Sequence, residues 1–525
     1  MSVTKEPRYI TTPIYYVTDA PHIGHLYTTV AADVLARFYR ARGHRVHFLT
    51  GTDEHGQKIQ KKAQQENLTP LELANRVVER YRSTWKLFQI THDDFIRTTE
   101  ARHKRVVQHY LEKLMQQGDI YLGEYVGLYC TPDEAYWTKT QAPDKKCPDC
   151  GRPLDLLTEE SYFFRLSHYA PRLRTYIKEH PDFIFPAARR NEVLGFLDQD
   201  IQDLSASRTT LDWGIPMPYD AKATKEHKVY VWFDALVNYL SALNPLGDSQ
   251  YPTLMDPFWP CAIHLVGKDI LRFHAVYWPS FLMALGLPLP RHIVAHGWLL
   301  STEQKIGKSL GNAVSPTALA EEFGCDAIRF FLFRHFTFGQ DGEYSSQSLR
   351  QVYESDLANA YGNCVNRVAN MLFKQWGTQK LNRQRALGLA CELRSITEAA
   401  VPRMMQALEG YHFEQSLSAL WEIISATNRF LERESPWKKV KDPALAEHVE
   451  HILLQSAEAL RIASLLLWPW IPGTAIKALE QLDAQTTLDQ THLLDAPLAW
   501  GFGSTSYQPQ PPTPLFPKER LTQKI

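Results

Sequence analysis

Several features are scarce or missing in this 525-residue sequence, and each gap excludes something. No unbroken apolar run reaches about 18 residues, so no transmembrane helix is predicted. Met1 to Arg8 is polar and has no apolar h-region, so no secretory signal is read there. Seven cysteines are an odd count spread over a long chain. That argues against a disulfide framework and for a reducing compartment, where clustered cysteines suggest metal first. Excess charge is also missing: the net value is -1, so a large anionic partner must meet local patches. Short-range repeats are not evident. A cytoplasmic protein without membrane contact is expected.

What remains has the make-up of a globular chain, 44% hydrophobic and 22% charged. Its length suits about two to four domains. Residues 8–12 read as a strand. Residues 24–40 read as an amphipathic helix, with Leu26, Val30, Val34, Leu35 and Phe38 on one stripe and Gly43 as its stop. Residues 45–50 read as a second strand, completing a βαβ unit with a right-handed crossover. Helical patterns follow over 70–88 and 101–117. From Asp119 to about Tyr219 the periodicity gives way to short strands and turns, read as an insertion. Alternation resumes at Lys228, with strands at 229–233, 261–266 and 292–295 and helices at 234–243 and 272–285. Residues 301–312 are polar, carry Gly307 and Gly311, and read as a mobile loop.

Helices then dominate over 318–323, 326–333, 346–376, 386–410, 413–432 and 444–468, which predicts a helical bundle. The proline-rich 504–517 reads as extended or disordered. The expected class is α/β, a Rossmann-like doubly wound parallel sheet with an inserted small knuckle domain, followed by an α-helical bundle domain. The expected divisions are 1–118 and 228–300 for the two halves of the sheet domain, and 119–227 for the insertion. A loop and linking helices take 301–350, the bundle 351–503 and an extended tail 504–525.

Ligands in such sheets bind beyond the strand C-termini. That places His22-Ile23-Gly24-His25, at the mouth of the first helix, on the same rim as Gly51-Thr52-Asp53-Glu54-His55-Gly56. A helix N-terminus favours anions, and histidines three apart share a face, so both can lean on a phosphate. Lys305-Ile306-Gly307-Lys308-Ser309 places two lysines in a glycine-containing loop that could close over a polyphosphate. Cys147-Pro148-Asp149-Cys150 has the spacing of a zinc knuckle. Asn359, Asn363 and Arg367 share one helical face, where amide and guanidinium groups can read bases and Trp437 can stack.

Together, the histidine and lysine signatures resemble the HIGH and KMSKS motifs of class I aminoacyl-tRNA synthetases. The methionyl branch is the most similar, through Thr12-Pro13-Ile14-Tyr15-Tyr16, the 51–56 run, Trp213-Gly214-Ile215-Pro216, Gly267-Lys268-Asp269, Asn359, Asn363, Arg367 and Pro436-Trp437. The likeness spans about residue 9 to about residue 517. It implies ATP-dependent ligation of methionine to initiator and elongator methionine tRNA through methionyl-adenylate. The alternatives are a class I synthetase for another amino acid, or a non-catalytic tRNA-binding paralogue.

By the same resemblance, His22, His25, Lys305 and Lys308 carry catalysis. Gly24, Gly267, Asp269, His296, Gly297, Lys305 and Lys308 hold ATP, with Mg²⁺ on its phosphates. Gly24 lets the nucleotide approach the backbone, and Asp269 holds the ribose or caps a helix. Asp53 binds the substrate ammonium, and Pro13, Ile14, Tyr16, Trp232, Ala235, Tyr239, Phe273, His274 and Trp278 surround the methionine. Asn359, Asn363, Arg367, Pro436 and Trp437 read the anticodon. Zinc would take Cys130, Asp133, Cys147 and Cys150, the alternative being a degenerate knuckle without metal. The sequence departs from the family at Leu236, Ile306, Gly307 and Asp133. No room is seen for the extra C-terminal module of some relatives, so a monomer is expected.

Overall fold

The computed structural model describes residues 5–130, 135–137, 142–148, 150–247, 250, 253–301, 304–305, 314–484 and 494–517. Its centre is a six-stranded, all-parallel sheet. The spatial order is Asp94–Arg97, Val46–Asp53, Arg8–Tyr16, Ala262–Gly267, His292–His296, Ile184–Phe185. Strand order reverses between Arg8–Tyr16 and Ala262–Gly267, which makes the crevice between them the expected ligand site.

The first strand runs further than its sequence pattern suggested. Its register against Val46–Asp53 slips between Thr11 and Ile14, at Thr12 and Pro13. Proline cannot donate to a ladder, so pairing breaks there and resumes one step out of phase. As a result Ile14 faces Gly51 and Tyr16 faces Asp53. Gly51 is required for a separate reason: a Cβ on it would lie 2.0 Å from the Ile96 carbonyl oxygen.

The Ile23–Ala41 helix departs from the amphipathic reading, because 16 of its 19 residues are buried. The sheet covers one side and the later helices cover the other. Tyr27 stacks on Phe333 at 5.3 Å, and Arg329 reaches Asp33 at 2.7 Å. Arg329 is fully buried and also donates to the carbonyls of Phe88, Pro469 and Trp470. A buried guanidinium is tolerated only with its donors satisfied, so this one group ties the first helix, the end of the Pro70–Leu87 helix and the bundle together. Burial works to raise the Asp33 carboxyl, but Arg37 and Arg329 hold it down at about 2.

Other elements also differ from the sequence pattern. The aromatic run at 229–233 is only a two-residue strand, Lys228–Val229, and Val231 already opens the Val231–Ser241 helix. The expected helix at 272–285 begins as a π-helical turn, Phe273–Tyr277, before Trp278–Leu285. The long helix at 346–376 likewise contains a π-helical stretch, Tyr353–Gly362. Within 119–227, the Ile120–Cys130 and Asp155–Phe164 strands pair antiparallel, as a strand-and-turn reading expects. Two helices, Leu166–Glu179 and Ala187–Leu197, were not foreseen there. No described helix is long and apolar enough to cross a membrane.

Candidate active site

The first strand ends at Tyr16, and His22 is the N-cap of the following helix. Its Nδ1 accepts from Gly24 N–H at 3.1 Å, while His22 N–H donates to His25 Nδ1 at 3.3 Å. This is a capping box built from two histidines, whose rings stack at 3.7 Å. The Tyr81 hydroxyl lies 3.3 Å from the same His25 Nδ1. With both Nδ1 atoms accepting, the neutral rings carry their protons on Nε2. Two N–H donors at a helix N-terminus are chemistry for an anion. Gly24 also has a local structural reason. A Cβ there would lie 2.9 Å from the His22 ring, so its open side is filled by the cap itself.

Across the crevice, Asp269 is exposed and lies in the short turn Lys268–Ile270. The N-cap of that turn is Gly267, and the Asp269 Oδ1 accepts from the Trp298 indole at 3.3 Å. A Cβ on Gly267 would fall 2.5 Å from that same oxygen. Lys268 pairs with Asp341 at 2.6 Å and sits 4.0 Å above the Trp298 ring. His296 is buried, with Nε2 2.6 Å from the Thr28 hydroxyl and Nδ1 2.7 Å from the Gly297 carbonyl. Gly297 is fixed by crowding, because a Cβ would meet the backbone of Gln340 at 2.2 Å.

The backbone of Lys305 pairs with Leu300. Lys308 lies outside the described residues, as does Asp133. The chain resumes at Val314, whose carbonyl accepts from Ile23 N–H at 3.1 Å. Val314, the next described residue after Lys305, thus stands against the start of the histidine helix.

The third group is aromatic. Trp232 stacks on Phe273 at 3.7 Å, nearly parallel. Tyr239 donates to His274 Nε2 at 2.7 Å, and His274 Nδ1 faces the Ile270 carbonyl at 2.9 Å. Behind them the Trp278 indole donates to His264 Nε2 at 3.2 Å, and His264 Nδ1 meets the Thr11 hydroxyl at 2.8 Å. Burial pushes His274 down to about 4 and His264 well below its ordinary value, so both rings are neutral. Pro13, Ala235, Tyr239, Phe273, His274 and Trp278 are buried; Ile14, Tyr16 and Trp232 are half-buried. Such a surface suits an uncharged, polarizable side chain. Asp53, 4% exposed, closes the second strand beside Tyr16.

Two further clusters lie apart from the crevice. The sulfurs of Cys130, Cys147 and Cys150 lie within 4.8 Å of one another, with Cys130 and Cys150 at 3.6 Å. Tetrahedral zinc–thiolate geometry places sulfurs about 3.8 Å apart, so the three fit such an ion. In the bundle, Asn359 and Asn363 are exposed and Arg367 half-buried. Arg367 pairs with Glu432 at 2.8 Å and lies 4.8 Å above the Trp437 ring, with Pro436 buried beside it.

Some supporting residues carried no sequence signal. Tyr81 and His264 reach the site from distant segments, and Thr28 and Thr11 from the site's own helix and strand.

The family model for class I tRNA synthetases (M) matches residues 8–155 and 151–369. The methionine–tRNA ligase of Caldanaerobacter subterraneus subsp. tengcongensis is 45% identical over 478 residues, 91% of this chain and 74% of that one. The Bacillus subtilis methionine–tRNA ligase is 44% identical over 530 residues, 98% of this chain and 78% of that one. The crystal structure of Mycobacterium tuberculosis methionyl-tRNA synthetase bound by methionyl-adenylate superposes with a TM-score of 0.88 at 36% identity, covering 98% of this chain and 100% of that chain. With its parallel sheet, histidine cap and aromatic wall, this chain belongs to the methionine type of class I tRNA synthetases.

Proposed function

We infer that this chain activates L-methionine with ATP and transfers it to methionine tRNA. The observation that carries this is the histidine cap: two Nε2–H donors at a helix N-terminus, opening on a switch-point crevice with a neutral aromatic wall. The methionine carboxylate attacks the α-phosphorus in line and pyrophosphate leaves. The terminal ribose hydroxyl of the tRNA then attacks the adenylate carbonyl and AMP leaves. No protein nucleophile is needed; positioning and charge stabilisation do the work.

His22 and His25 donate to the phosphates as charge moves onto them, and Lys305 and Lys308 supply positive charge at the pyrophosphate. Asp269 takes the ribose hydroxyls, with Gly267, His296 and Gly297 shaping the nucleotide's bed. Mg²⁺ comes with ATP, held mainly by phosphate oxygens. Asp53 takes the ammonium, and the aromatic wall takes the thioether. In the bundle, Asn359, Asn363, Arg367 and Trp437 meet the anticodon of initiator and elongator tRNA, with Pro436 setting the turn. Cys130, Cys147 and Cys150 hold a structural zinc, with Asp133 as fourth ligand, a donor set zinc accepts. Metal analysis checks this, with about one zinc per chain expected. The chain acts in the cytoplasm as a monomer, which sedimentation checks.

ATP–pyrophosphate exchange across a panel of amino acids tests the reading. Strong exchange with methionine is expected. Exchange with isoleucine or cysteine and none with methionine would overturn it, and so would tRNA binding without any exchange.

A further inference from the structure

Beneath the methionine wall lies a buried polar chain that the reaction itself does not use. Both oxygens of Asp234 are taken by imidazoles: Oδ2 by His55 Nδ1 and Oδ1 by His103 Nε2, each at 2.7 Å. All three side chains are at most 3% exposed. His103 Nδ1 continues to the Ser241 hydroxyl at 2.8 Å. Burial works against the Asp234 anion, but the two histidines hold its carboxyl down at about 2. An anion accepts only, so His55 must carry a proton on Nδ1 and His103 on Nε2.

The connectivity of this chain matters more than its polarity. His55 stands two residues beyond Asp53. Asp234 lies in the first turn of the Val231–Ser241 helix, which also carries Trp232, Ala235 and Tyr239. His103 comes from a third element, the Ala101–Gln117 helix. On the other flank of His55, the Glu54 carboxylate accepts from Arg97 at 2.6 and 3.0 Å and from Thr52 at 2.6 Å. Asp53 thus precedes two adjoining residues anchored in opposite directions, one to the neighbouring strand and one to the pocket helix.

We propose that Asp234, acting through His55 and His103, is a positioning residue that sets Asp53 against the aromatic wall and so tunes affinity for the amino acid. The inference rests on the methionine-activating reading above. Asp234→Asn keeps the shape but turns an amide N–H2 toward an imidazole N–H, so one bond of the bridge is lost. KM for methionine in pyrophosphate exchange rises about tenfold or more, the scale of one charge-assisted hydrogen bond, while KM for ATP stays within about twofold. His103→Gln, which keeps an N–H near the Nε2 position, retains the wild-type KM, and His103→Leu behaves like Asp234→Asn. Should Asp234→Asn fail to fold, the two His103 variants decide by the same ratio. Unmoved methionine KM in folded Asp234→Asn and His103→Leu, with only fewer competent sites by active-site titration, marks a purely structural role and overturns the proposal. Absence of methionine-dependent exchange in the wild type overturns the functional reading, a different result from exchange with unmoved KM.

Discussion

The two halves of the crevice are built on opposite plans. The half proposed for methionine has a neutral inner wall: Tyr239, His274, His264 and Trp278 are buried and satisfy one another internally, and burial keeps both histidines uncharged. The nucleotide half is open, with His22 and His25 half-buried and Asp269 exposed. The difference follows from the substrates. A small thioether offers little beyond shape and polarizability, so its site must be rigid before it arrives. A polyphosphate brings its own charge, and the catalytic groups need only face it where charge develops.

This contrast can be broken or sharpened experimentally. The largest effect is expected in the open half. His25→Ala removes a donor proposed to act on the phosphates, so adenylate formation is expected to slow by about 10² to 10³ while methionine binding changes far less. Rapid-quench kinetics with methionine titrations measure both.

Gly297→Ala comes next, because its Cβ would meet the Gln340 backbone at 2.2 Å, and backbone cannot swing aside. A loss of about 3 kcal/mol is expected in urea unfolding. By contrast, Gly24→Ala meets only the movable His22 ring, at 2.9 Å, and should slow activation with little change in the unfolding midpoint.

In the closed half, Tyr239→Phe leaves His274 Nε2 buried without its hydroxyl donor, a change of about 1 to 2 kcal/mol. It should appear as a raised KM for methionine with kcat less affected.

The smallest effect is the pH dependence. His274 titrates near 6.5 ordinarily and is pushed down to about 4 by burial. Between those values the unfolded chain binds a proton that the folded chain refuses, so stability is full above about 6.5 and falls as pH drops toward about 4. The melting temperature should fall from pH 7 to pH 5, and less steeply in His274→Gln; equal slopes would remove His274 from the account.

The open half was far more legible in the sequence than the closed one. His22, Gly24 and His25 are neighbours along the chain, and a strand-to-helix transition puts such neighbours on one rim whatever else packs around them. The two strands flanking the first helix were readable in the sequence, although the first runs on to Tyr16. The first helix itself misled, because its apolar stripe cannot reveal that a later helix, Cys325–Arg334, covers its other side through Phe333 and Arg329. The Val231 helix start was masked by aromatic residues that fit strand and helix equally. Both π-helical stretches depend on packing that no period of 3.6 encodes. Tyr81, Asp234 and His103 act only through contacts made by folding, so sequence spacing gave no hint of them. Gly24 was read as making way for nucleotide; the structure adds that a Cβ there would also meet the His22 ring, and that one on Gly297 would meet a crossing backbone, neither of which the sequence shows.

The central claim is that the methionine half is complete before ATP arrives. Equilibrium dialysis of labelled methionine against the wild type and His25→Ala, without nucleotide, tests it most directly. The account predicts saturable binding of one methionine per chain, about equal in both proteins. Methionine binding that appears only with ATP, or vanishes in His25→Ala, would contradict it.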